Sequence, residues 1–174
     1  MKILVINAGS SSLKYQLFDM SRGEKVICAG GAERVGAAKS LYYHTDHQSG
    51  TSIRMDAVFP THKEAIEAMI STLLDGCIES LDDISCVGFK VVHAKGVTGV
   101  QYLTEDVLQA MADFNSVAPA HNPPYIAAIR QFAALMPDTP LIGSFETAFH
   151  ANMPAEAYLY PIPLELSKKH AIRR

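Results

Sequence analysis

Ile3-Leu4-Val5-Ile6-Asn7-Ala8-Gly9-Ser10-Ser11-Ser12-Leu13-Lys14-Tyr15-Gln16-Leu17-Phe18-Asp19 is the stretch that decides the fold. An apolar strand enters a turn of one glycine and three serines, and a second strand leaves it carrying a lysine. Strand, tight polar turn and strand predict a hairpin, so the domain begins with sheet. Three hydroxyls, the backbone amides of small residues and the Lys14 ammonium fall between Asn7 and Lys14. Phosphate oxygens suit such a donor set: several N–H and O–H groups at short range plus a point charge. The spacing is not that of a Walker A loop, which needs G-x-x-x-x-G-K-[ST] and a following helix. Taken alone, the stretch also reads as a serine-rich turn with nothing bound. The rest of the chain has to discriminate.

Working outward, residues 24–32, 40–45 and 51–57 read as further strands, with Ser49-Gly50 as a hairpin turn. This is the pattern of an antiparallel meander. The periodicity then changes. Thr61-His62-Lys63-Glu64 is a capping box ahead of Ala65, Ile66, Met69, Ile70, Leu73 and Leu74, an i, i+3/i+4 stripe that Gly76 ends. Residues 84–92 form a nearly continuous apolar run, as in a strand buried on both faces. A glycine-containing loop is expected at 94–99. Thr104, with Glu105 and Asp106 in the first turn, predicts a helix to about Val117. Asn122-Pro123-Pro124 predicts another, with Asn122 as N-cap, ending at Pro137. Residues 140–145 read as a second buried strand, 158–163 as a short extended run and 164–170 as the start of a helix. Strands first, then helices alternating with buried strands, predict an α/β fold with a mixed sheet and flanking helices.

Composition narrows the function classes. The chain has 174 residues, 48% of them apolar and 19% charged, as in an ordinary globular protein. A net charge of −3 supplies no basic field, so nucleic acid is not an expected partner and phosphate chemistry has to come from a local site. Cys28, Cys77 and Cys86 are odd in number and lack C-x-x-C spacing, which argues against a disulfide framework or a zinc ribbon. Cys28 and Cys86 sit among apolar strand residues and read as small core side chains. His44-x-x-His47 is only a weak metal spacing. The N-terminal apolar run is too short for a signal peptide and no stretch approaches a membrane-spanning length, so a reducing cytoplasm is the expected setting and no membrane partner is expected.

Potentially reactive side chains gather at strand ends and helix starts: Asn7, Lys90, His93, His121, Glu146 and His150. If strands 3–7, 84–92 and 140–145 are parallel neighbours, Asn7, Lys90, His93, Glu146 and His150 share one mouth, since ligands of open α/β sheets bind outside the carboxyl ends of the strands. His121, beside a helix N-terminus, would favour an anionic neighbour. Each residue also has an ordinary reading, as a loop histidine, a solvated carboxylate or a snorkelling lysine.

These residues, taken together, resemble the acetate kinase family of short-chain acyl kinases, members of the actin-like ATPase superfamily. The matching pieces are Val5 to Tyr15, Val91-Val92-His93, Ala118-Pro119-Ala120-His121-Asn122-Pro123, Phe145-Glu146-Thr147-Ala148-Phe149-His150, Met153-Pro154 and Ala157-Tyr158-Leu159-Tyr160. The resemblance implies a ribonuclease H-like domain at residues 1–150, with 151–174 a linker or the start of a second domain. It implies transfer of phosphate between ATP and a short-chain carboxylate such as acetate, giving ADP and an acyl phosphate, with Mg²⁺. Asn7, Ser10, Ser12 and Lys14 match the phosphate- and nucleotide-binding hairpin. Lys90, His121 and Glu146 fall at catalytic positions, Val92 and Ala120 at the acyl pocket, and Asn7 and Glu146 are the expected oxygen donors to the metal.

Four departures from the family pattern stand out. Phe89-Lys90 replaces His-Arg, and lysine keeps the charge without the planar bidentate fork of arginine. Glu146 replaces aspartate, lengthening the reach by one methylene, and a misplacement of about 1 Å can cost on the order of 100-fold in rate. Ala94-Lys95 replaces Gly-Gly, and Ala120 replaces a leucine, giving a roomier pocket. The family's chains also continue into a second domain carrying the adenine site. Little or no turnover is therefore expected of the 174 residues alone, and the expected partner is a second polypeptide or a second copy. The alternative is a non-catalytic module, a degenerate paralogue or half of a split enzyme, that binds phosphate or acyl phosphate or serves in assembly.

Overall fold

A computed structural model describes residues 1–174. Eight strands form one sheet: β1 (Lys2–Gly9), β2 (Ser12–Asp19), β3 (Lys25–Glu33), β4 (Ser40–Asp46), β5 (Ser52–Ala57), β6 (Ile84–Val91), β7 (Gly99–Tyr102) and β8 (Leu141–Phe145). Their spatial order is β5-β4-β3-β2-β1-β6-β8-β7. The first five make the expected antiparallel meander, while β1, β6 and β8 are parallel neighbours. The condition for a shared mouth at their carboxyl ends is therefore met.

The helices are α1 (His62–Leu74), α2 (Glu105–Ala112), α3 (Asn122–Leu135), α4 (Ala155–Tyr158) and α5 (Leu164–His170). α1 starts at its capping box: Thr61 Oγ1 accepts from the Lys63 amide, and the Glu64 carboxylate accepts from the Thr61 amide at 2.8 Å. α1 and α3 touch each other and pack on the sheet. Against them lie Leu4, Ile6 and Ala8 of β1, Leu13, Tyr15 and Leu17 of β2, Val87, Phe89 and Val91 of β6, and Phe145 of β8, all buried at period two. Phe132 of α3 meets Phe89 edge-to-face at 5.3 Å. Residues of opposite parity, Val5, Lys14, Gln16, Lys90 and Ser144, remain exposed on the other face.

Several local expectations need correction. α2 stops at Ala112 rather than near Val117, and turns run through Asn115, Ser116 and Pro119, poor company for a helix. Asn122 is the first helical residue of α3, not its N-cap. His121 occupies the cap position, and the Asn122 amide is fully buried, donating to the carbonyls of His93 (2.9 Å) and Met111 (2.7 Å). Residues 155–158, expected as loop, form one helical turn, which takes only Tyr158 from the extended run expected at 158–163. β7, of which only Gly99 falls in the loop expected at 94–99, is an edge strand held by antiparallel pairing with β8. Cys28 is fully buried as expected, whereas Cys86 is only half-buried. No helix is long and apolar enough to cross a membrane.

Candidate phosphate-transfer site

The hairpin turn is held from below. Gly9 pairs with Ser12 across β1 and β2, leaving exposed Ser10 and Ser11 at the tip. A Cβ on Gly9 would lie 2.8 Å from Ser12 Oγ, so a larger residue there would turn the Ser12 hydroxyl aside. His62, first residue of α1, places Nε2 2.8 Å from the Gly9 carbonyl and 3.3 Å from that of Ser12. Carbonyls only accept, so Nε2 carries the proton and donates. The capped start of α1 thus fixes an imidazole under the loop. His62 was legible only as a helix-start residue; its role depends on a contact across fifty-odd positions of chain.

Asn7 and Lys14 are cross-strand partners, and with Ser12 they share the open face. They line a groove of about 490 Å³ with Val5, Gln16 and Tyr43. One strand over, Ile6 pairs with Phe89 and Lys90 pairs with Ser144, so Asn7, Lys90 and the carboxyl end of β8 follow side by side. Glu146, just past β8, meets Lys90 there, Oε1 to Nζ at 2.9 Å. The hydrogen bond to Glu146 holds the Lys90 ammonium above the ordinary lysine range, against a smaller opposing effect of burial.

Tyr125, in the first turn of α3, connects this pair to His121. Its hydroxyl is pushed up by burial and feels opposing fields from Lys90 and Glu146. Its ring lies 6.0 Å from that of His121, tilted by 36°. Tyr125 thus lies within the fields of the Lys90–Glu146 pair and beside the ring of exposed His121. Tyr125 went unnoticed because a tyrosine among apolar helix residues reads as core.

His93 and His150 gather separately. They share a cavity of about 250 Å³ with Thr98, Thr147 and Arg173. His93 packs edge-on against Phe114 at 4.9 Å, its Nδ1 is buried without a partner, and burial lowers its pKa. Asn7, Lys90 and Glu146, expected to share a mouth with His93 and His150, do not line this cavity. Val92 packs at the margin of the core, Ala120 is exposed beside His121, and neither lines that cavity.

The donors suit a hard divalent cation. Asn7 offers an amide oxygen on the open face, and Glu146 uses one carboxylate oxygen on Lys90, leaving the other. The turn between Gly9 and Ser12 presents amides and hydroxyls, with the Lys14 ammonium on the same face, a donor set that suits phosphate oxygens.

A mixed sheet that opens with a meander, continues through parallel strands and carries a hydroxyl-rich first hairpin defines an actin-like ATPase domain of the ribonuclease H type. Within that class the chain belongs to the Acetokinase family, whose family model matches residues 2–174. It is 42% identical over 178 residues to the acetate kinase of Thermosipho melanesiensis, covering 100% of this chain and 43% of that protein. The acetate kinase of Coprothermobacter proteolyticus is 44% identical over 180 residues, with 100% and 44% covered. Among solved structures, Porphyromonas gingivalis acetate kinase superposes with a TM-score of 0.87 at 33% identity, over 99% of this chain and 44% of that one. A propionate kinase from Francisella tularensis gives 0.88 at 29% identity, also over 99% and 44%. The chain therefore spans less than half the length of these relatives.

Proposed function

We propose that these residues form the phosphate-handling half of an acyl kinase that moves the γ-phosphoryl group of ATP to a carboxylate oxygen of acetate or a slightly larger acid. The observation that carries this reading is the Lys90–Glu146 pair at the ends of β6 and β8, on the face shared by Asn7 and Lys14. In the forward direction the carboxylate oxygen forms a bond to the γ-phosphorus while the bond to the β,γ-bridging oxygen breaks, releasing ADP. Ser10, Ser12 and Lys14 bind phosphate oxygens, and His62 keeps their loop in shape. Lys90 and His121 stabilise charge on the transferred group, with Tyr125 fixing the His121 ring. Asn7 and Glu146 would hold Mg²⁺, which neutralises phosphate charge when bound. Val92 and Ala120 border the acyl chain.

Residues 1–150 are the functional unit in this reading, and 151–174 lead into the rest of the enzyme. Positioning and charge stabilisation need a closed, water-poor cleft. Lys90 and Glu146 are about half exposed, so the 174 residues by themselves give little turnover. A second polypeptide or a second copy supplies the opposite wall, in a reducing cytoplasm that suits three free cysteines. The test is hydroxamate formation from ATP, acetate and hydroxylamine after the missing half of a relative is added. Product is expected, and its absence from a folded, reconstituted mixture defeats the reading.

The same ion pair favours a second reading, a phosphate- or acyl-phosphate-binding module without turnover, because each charge already neutralises the other. Calorimetric titration with acetyl phosphate and with inorganic phosphate probes it. In the reconstituted enzyme, Lys90→Arg with Glu146→Asp separates the two: a large gain marks the present residues as degenerate, no gain marks them as working.

A further inference from the structure

Away from the phosphate hairpin, the covered face of the sheet holds Cys28 of β3, His44 of β4 and Cys77 just past α1, all buried. Their two sulfurs and an imidazole nitrogen lie within 4.8 Å of one another, with His44 Nε2 3.8 Å from Cys77 Sγ. His47, the other half of the sequence spacing, is exposed beside Thr45 in the groove of the open face, so His44 joins thiols remote in sequence instead.

The hydrogen-bond network around His44 fixes which nitrogen is free. Thr72 Oγ1 donates to the Ala68 carbonyl at 2.9 Å, and Tyr42 donates to Thr72 Oγ1 at 2.8 Å. Tyr15 lies 3.0 Å from the Tyr42 hydroxyl and 2.8 Å from His44 Nδ1. Each hydroxyl has one proton. Tyr42 has spent its own on Thr72, so Tyr15 donates to Tyr42, and His44 Nδ1–H donates to Tyr15. Nε2 is then left with its lone pair turned toward the thiols. A Cβ on Gly30 would meet the Tyr15 hydroxyl at 2.6 Å, so the backbone is cut away where this relay passes.

We propose that Cys28, Cys77 and His44 form a three-coordinate site for a soft monovalent cation, with Cu⁺ as the matching ion. Two thiolates and one imidazole are the ligands such ions prefer, and the Tyr15 contact is the outer hydrogen bond that orients a ligating histidine. Zn²⁺ would want a fourth donor. Binding releases one proton from each thiol and leaves a buried complex of net charge −1. Cys77 lines a surface pocket of about 260 Å³ whose rim carries Lys2, Arg22 and Lys25; Lys2 is paired with Asp83 and Arg22 with Asp19, and the field of Lys2 favours the Cys77 thiolate while that of Asp46 opposes both thiolates. The same pocket is the way in. Without metal the thiols stay protonated, since burial pushes both Cys28 and Cys77 upward.

The test titrates the chain with Cu⁺ anaerobically against bicinchoninate, following near-ultraviolet thiolate-to-metal absorption and thermal melting, with Zn²⁺ in a parallel arm. One equivalent of Cu⁺ is expected, with a raised melting temperature. Cys77→Ser and Cys28→Ser, checked for folding by circular dichroism, should each weaken binding at least about tenfold, and Cys86→Ser should not. Tyr15→Phe keeps all three ligands but frees the His44 tautomer, and should weaken binding roughly 10- to 100-fold; this keeps the proposal exposed if the serine variants do not fold. No stoichiometric Cu⁺ binding by the folded chain, binding unchanged in Cys77→Ser and Tyr15→Phe, or tighter binding of Zn²⁺ than of Cu⁺ would overturn it.

Discussion

The two faces of the sheet divide the labour. On the helix-covered face, Leu4, Ile6, Leu13, Leu17, Val87 and Phe145 are at most 1% exposed. On the other, the residues one position along, Asn7, Lys14, Lys90 and Ser144, keep their polar groups in reach of solvent. Because side chains alternate with period two, each strand contributes to stability through one parity and to chemistry through the other. The groups proposed to bind phosphate can therefore be changed without disturbing the core, and core groups reach the open face only through the backbone.

The sharpest way to break this division is to cut one residue on each face. Phe132→Ala should cost about 3–5 kcal/mol, because the site, packed on Phe89, cannot collapse around the lost ring. Lys90→Ala should stay within about 0.5 kcal/mol in stability while weakening phosphate binding. Urea unfolding midpoints decide, and a Lys90 variant as damaged as the Phe132 variant would remove the division. Asn122→Ala is the next largest, about 1–3 kcal/mol, since the His93 and Met111 carbonyls lose their donor in a buried place.

A residue that joins the two sides should produce a mixed effect. His62→Ala leaves the α1 cap intact but removes the donor under Gly9 and Ser12. Stability should fall by about 0.5–1.5 kcal/mol. Affinity for phosphate or ATP should drop about tenfold, some 1.4 kcal/mol, as the loop loosens. Calorimetric titration beside an unfolding curve reads both, and unchanged affinity would leave His62 a helix-start residue only.

How much of this was legible follows the same division. β6 was expected to be buried on both faces and keeps Ser85 and Lys90 exposed, but the covered parity of β1 to β4 was readable because burial enforces alternation. So was α1, whose capping box is local chemistry. β7 was not: Val100 and Tyr102 are 71% and 67% exposed, so nothing in Gly99-Val100-Gln101-Tyr102 reports that β8 lies alongside. The hairpin declared its donors, since they are contiguous, but not the histidine beneath it. Asn122 looked like a cap because Asn before Pro is a local signal, while the carbonyls it serves belong to distant segments. The Cys28–His44–Cys77 group was invisible for the same reason, being assembled by strand order and the end of a helix.

A weaker effect tests the covered face by pH. Burial lowers the pKa of His44 and of His93, so the unfolded chain binds protons that the folded chain refuses. Their contribution is complete above the ordinary histidine value of about 6.5 and is lost as pH falls through it toward the folded values. Urea midpoints should be lower at pH 5.5 than at pH 7.5, and His44→Gln should flatten the slope. Equal midpoints at the two pH values would mean that these rings accept protons without resistance.

The smallest expected effect belongs to the open face. Lys90 is raised by its hydrogen bond to Glu146, so the pair contributes fully below the ordinary lysine pKa and is lost only as pH climbs through the higher folded value. With both side chains about half exposed, the contribution should be below about 1 kcal/mol and should shrink with salt. A double-mutant cycle with Lys90→Met and Glu146→Gln, run at low and high salt, isolates the coupling. A large, salt-insensitive coupling would mean the pair is shielded from solvent and structural, and the open face would then carry stability as well as chemistry.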